Sequence, residues 1–130
     1  MRRGTSGTLA ALLLGSSLLT GVGTATAEPL PPCAYALTPP TVIQTDGGPM
    51  VSVSVEPTSC GFPASPYVSV ACVGILGEST KCTQNPDRAE ITMPYRAGAT
   101  YVGTGRGCGS FVGRSITQDC QLFGPVEVGL

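Results

Sequence analysis

Six cysteines and eight carboxylates carry most of the reactive chemistry this chain could offer, and no histidine stands beside them. Without an imidazole, neither a Ser-His-Asp nor a Cys-His nucleophile can be assembled, and zinc hydrolysis on histidine ligands is excluded. Asp87 and Glu90 form a carboxylate pair by number, but a spacing of three in a strand puts them on opposite faces. The expectation is a protein that is not an enzyme and takes no cofactor.

The cysteines are Cys33, Cys60, Cys72, Cys82, Cys108 and Cys120. No two have C-x2-C spacing, so the set does not read as a metal site. An even count in a short exported domain reads instead as three disulfides.

Export is read from the start of the chain. Arg2 and Arg3 precede an apolar run, Leu9 to Leu19, and small residues follow as far as Ala25-Thr26-Ala27. That pattern is a signal peptide over residues 1–27, with an Arg pair that admits either general or twin-arginine export. The run is shorter than the roughly 20 apolar residues a membrane span needs. Cys33 lies too far beyond it, behind Pro31 and Pro32, to carry a lipid. No membrane anchor is expected, and the location is secreted or associated with the cell envelope.

The remaining segment, 28–130, holds 103 residues and reads as one domain. It carries five basic residues against eight acidic ones, a net charge of −3. With no basic cluster, neither nucleic acid nor an anionic membrane is an expected partner. All twelve prolines fall in this segment, too many for a helical bundle.

What positions the cysteines is a series of strands. Val51, Val53 and Val55 alternate with Ser52, Ser54 and Glu56, one row for a core and one for water, and Pro57 should end that strand. Val68, Val70 and Cys72 share a face of the next. Ala89, Ile91 and Met93 alternate with Glu90 and Thr92 until Pro94. Further strands are expected at 34–43, 81–84, 100–106 and 122–128. About seven short strands with turn signals between them predict an all-β sandwich.

The run Tyr95-Arg96-Ala97-Gly98-Ala99-Thr100-Tyr101 resembles the tyrosine corner of immunoglobulin-like and fibronectin type III domains. Gly98 and Tyr101 match its spacing, and Tyr95 stands where leucine is usual. Ala97 and Ala99 depart from it, there is no tryptophan, and Cys108 lies too far beyond Tyr101 for the antibody-type bridge. The resemblance implies an immunoglobulin-like β-sandwich of about seven strands with three disulfides, and no function.

Topology narrows the 15 pairings that six cysteines allow. If the first two strands are antiparallel neighbours, Cys33 comes beside Cys60. Cys72 and Cys82 flank a hairpin turn, and Cys108 and Cys120 close a loop between the last two strands. The expected bridges are therefore Cys33–Cys60, Cys72–Cys82 and Cys108–Cys120.

Two segments invite a functional reading. In Gly103-Thr104-Gly105-Arg106-Gly107-Cys108-Gly109 the four glycines share one strand face with Tyr101. That face is either a bare floor for a ligand or a seat for a neighbouring side chain. The loop between Cys108 and Cys120 presents Arg114-Ser115-Ile116, which looks like the reactive loop of small trypsin-type protease inhibitors, without their flanking prolines.

The nine-residue spacer from Cys72 to Cys82 is similar to that of the neocarzinostatin family of chromophore-binding apoproteins. The resemblance implies an apolar-ligand cleft beside the sandwich. The chain's general character is also similar to small secreted actinobacterial, mycobacterial-type proteins. The sequence thus predicts a monomeric, exported binding module whose partner is a protein or a small apolar ligand. Its expected surface joins the Cys72–Cys82 hairpin to the Cys108–Cys120 loop, through Ile75, Leu76, Phe111, Val112 and Arg114.

Overall fold

Seven strands account for the secondary structure in a computed structural model whose described residues are 31–112 and 119–130. They are β1 (Cys33–Thr45), β2 (Gly48–Cys60), β3 (Ala64–Ile75), β4 (Thr80–Asn85), β5 (Ala89–Pro94), β6 (Thr100–Phe111) and β7 (Asp119–Gly129). Among the described residues there is no helix. The proposed signal segment lies outside them.

Every strand expected from alternation is present, and the pairing is antiparallel throughout. One sheet has the order β1-β2-β5 and the other β4-β3-β6-β7. Lettered in chain order, this is the immunoglobulin-type division of seven strands, except that the fourth strand leaves the fifth and joins the third.

The core lies between the two sheets. Val51, Val53 and Val55 of β2 are fully buried and stand beside Met93, Ile91 and Ala89 of β5. Ala71, Val73 and Tyr101 face them from the other sheet and are also fully buried. Burial of this kind stabilises by about 25 cal/mol per Å² of apolar surface removed from water.

Two expectations about β2 change. Pro57 does not end the strand, which continues to Cys60. β5 stops opposite Val55, so beyond that point one side of β2 is an edge, where a missing N–H costs no ladder bond. Ser52 and Ser54 are also buried, although they occupy the outward row. They are small, and longer neighbours flank them: Thr41 and Thr92 beside Ser52, Thr38 and Glu90 beside Ser54.

All three disulfides form as expected, and each joins residues directly opposite one another in a ladder. Cys33–Cys60 ties β1 to β2, Cys72–Cys82 ties β3 to β4, and Cys108–Cys120 ties β6 to β7. None crosses from one sheet to the other. The layers therefore adhere by packing, while the bridges hold single hairpins in register. Three formed disulfides place the folded chain in an oxidising compartment.

The tyrosine corner has its expected geometry. The Tyr101 hydroxyl accepts a hydrogen bond from the Arg96 N–H at 2.7 Å and donates to the Pro94 carbonyl at 3.1 Å. Gly98 adopts φ +78°, a conformation that side chains resist, so the chain can cross from β5 to β6 within five residues.

Candidate functional site

The glycine face of β6 points inward and is filled. A β-carbon at Gly103 would meet Pro40 at 2.9 Å, and one at Gly105 would meet Val55. A β-carbon at Gly107 would meet the Tyr35 ring, and one at Gly109 would meet Cys33 at 2.9 Å. The strip is thus a seat for side chains of β1 and β2, not a floor for a ligand. Tyr35 lies across it and its hydroxyl donates to the Cys108 carbonyl at 2.5 Å. Burial raises the Tyr35 pKa; the Tyr67 backbone opposes that and the charge of Asp87 adds to it.

The expected binding surface is not assembled. Ile75 and Leu76 close β3 at the turn into β4, whereas Phe111 pairs with Ala64 at the opposite end of β3. The eleven residue steps from Ala64 to Ile75 span roughly 36 Å at about 3.3 Å each. Leu76 is exposed and Ile75 half-buried at one tip. Val112 is exposed at the other, beside the fully exposed Phe62, which the sequence did not single out. Arg114 lies outside the described residues. Asp87 lies between β4 and β5 and not in a strand with Glu90, and Glu90 binds Arg88 at 2.8 Å.

The face that does gather side chains is the outer face of the four-stranded sheet. On β3 the buried inward row is Ser69, Ala71 and Val73, so Val68, Val70 and Cys72 turn outward. Ser69 is accommodated inside because its hydroxyl donates to the Asp87 carbonyl at 2.5 Å. On β6, Tyr101 and the glycines take the inner face and leave Thr104 and Arg106 outside. Cys72 pairs with Thr104 and with Cys82; Val70 pairs with Arg106, and Arg106 with Leu122 of β7. Leu122 is 80% exposed.

Two open depressions mark this face. One, of about 330 Å³, is lined by Val70, Cys72, Thr104, Arg106 and Leu122, with the chain at Gly105 and Phe123. The other, of about 380 Å³, lies among Tyr67, Val68, Gln84, Asn85 and Pro86, and Arg106 borders it too. Parity along β6 was the available signal. A tyrosine corner requires Tyr101 to face inward, so the even-numbered residues Thr104 and Arg106 must face out.

A third hollow, of about 440 Å³, lies at the corner itself among Ile75, Met93, Pro94 and Tyr95, where the Arg96–Glu78 ion pair closes it. There Gly77, at φ +82°, makes the turn that brings Glu78 within reach of Arg96.

The fold and this face define a disulfide-stapled, seven-stranded β-sandwich with a half-apolar sheet surface open to solvent. No family model, curated protein or solved structure matches the chain.

Proposed function

We propose that this chain is an exported, non-catalytic binding module that carries a small, largely apolar ligand on the outer face of its four-stranded sheet. The observation that carries the reading is the outward row Val68, Val70 and Cys72, beside Leu122, on a sheet whose other face already forms the core. A sandwich needs one apolar face per sheet, and this sheet has apolar residues on both. The 330 Å³ depression lies at the lower end of the size range of small-molecule sites, and its polar side chains are Thr104 and Arg106 alone. The resemblance to the neocarzinostatin family, through the Cys72–Cys82 spacer, implies the same kind of ligand. The lack of histidine and the disulfides support a binding role outside the reducing cytoplasm.

The test uses a neutral apolar dye, Nile red, with the oxidised protein. Its emission should rise on binding and the rise should be lost in Val70→Asp, while Leu76→Asp at the distant turn leaves it intact. An unchanged signal in Val70→Asp would place the apolar site elsewhere.

A further inference from the structure

We infer that the ligand of this face is an amphiphile with a single carboxylate, held by Arg106; the inference rests on the apolar-ligand reading above. The described residues include three arginines. Arg88 binds Glu90 at 2.8 Å and approaches Glu56 at 3.8 Å, and Arg96 pairs with Glu78. Arg106 has no carboxylate within ion-pair reach among the described residues, although the chain carries more acidic than basic groups.

Its place sharpens the contrast. Arg106 stands on an interior strand of the sheet, opposite Val70 on one side and Leu122 on the other, and borders both depressions. The other residues lining those depressions, Thr104, Tyr67, Gln84 and Asn85 among them, include neither a carboxylate nor a second cation. By register, a carboxylate on the same face is Glu127, opposite Val102. That is four residues along β6 from Arg106, roughly 13 Å at about 3.3 Å per residue.

A guanidinium offers a planar fork of donors that fits one carboxylate in a bidentate pair, and it remains charged at any working pH. One fork balances one negative charge, so a monoanion leaves no excess charge against the apolar rows. Flanking apolar groups displace water from the pair when the ligand's hydrocarbon covers them, which strengthens the attraction. The apolar rows thus hold the body of the ligand and Arg106 reads its head.

The experiment compares decanoate, decanol and decylamine as ligands of the oxidised protein, by calorimetry at neutral pH. Decanoate should bind about tenfold more tightly than decanol, the factor that ~1.4 kcal/mol confers, and decylamine more weakly than either. Arg106→Gln should bring decanoate level with decanol without loss of decanol binding, and Arg106→Lys should restore part of the preference. Arg88→Gln should leave the ratio unchanged. Equal binding of the three, or a decanoate preference that survives Arg106→Gln, overturns the role of Arg106 and leaves the apolar site standing. Failure of all three to bind overturns both.

Discussion

The ring of Tyr35 occupies the space a side chain at Gly107 would need: a β-carbon there would run into the Tyr35 Cγ. One sheet therefore keys into the other through a residue that has no side chain. Gly107→Ala should destabilise by about 3 kcal/mol, the upper end of overpacking costs, because the obstacle is the root of a ring and not a flexible tip. Tyr35→Ala should cost a similar amount by leaving a cavity. The double variant should cost less than the sum of the two, since each change relieves the other. Urea midpoints of the four proteins give the coupling, and strict additivity would refute the keyed contact.

The same tyrosine makes stability fall in alkali. Its pKa lies above the ordinary value of 10.0, mainly because burial disfavours the phenolate. Below that ordinary value both folded and unfolded forms are protonated, and the contribution is fully present. As pH rises past it, the unfolded chain loses the proton first, so stability drops until the folded form ionises as well. Tyr35→Phe should flatten this part of the decline above about pH 10. Denaturation midpoints of the two proteins across that range make the comparison.

At the other end of the core, Tyr101→Phe removes the hydroxyl that binds both Arg96 and Pro94. The ring remains, so the loss should be about 1–2 kcal/mol, the worth of the hydrogen bonds and of a backbone left unpaired. Binding at the outer face should not change, because Tyr101 faces the core. A shift in ligand affinity together with the thermal midpoint would contradict that separation.

Removal of the bridges should rank them by more than loop length. Chain-entropy estimates are about 3.6 kcal/mol for Cys33–Cys60 and about 2.8 and 2.9 kcal/mol for Cys72–Cys82 and Cys108–Cys120. Cys33 is also buried against Gly109, so replacing the first pair by alanine opens a cavity and should cost most. Replacing Cys72 and Cys82 should cost about 3 kcal/mol and also weaken Nile red binding, because Cys72 lines the 330 Å³ depression. Thermal midpoints and dye titrations of the paired variants separate the two effects.

How much was legible follows from the kind of signal each residue gives. Val51, Val53 and Val55 announced a strand with a buried face because alternation is a local property of the chain. The corner at Gly98 and Tyr101 was legible because its geometry depends on a few neighbouring positions. The bridges were legible because a strand's neighbours constrain which cysteines can meet. Size alone would place Val68 and Val70 in a core, yet the smaller Ser69 and Ala71 are the buried pair. The proposed surface failed because loops far apart along β3 were grouped by sequence character alone.

By itself, then, the sequence determined the strands, their antiparallel stapling and the even number of cysteines to be paired, because each depends on residues close along the chain or on adjacent strands. Only the tertiary structure decided which face of the four-stranded sheet is inside. Tyr35, Leu37 and Cys33 reach across to fill the glycine strip of β6, and that long-range packing turns Val68, Val70 and Arg106 toward solvent. A strand's pattern says that two faces differ; what packs against one of them settles which is buried.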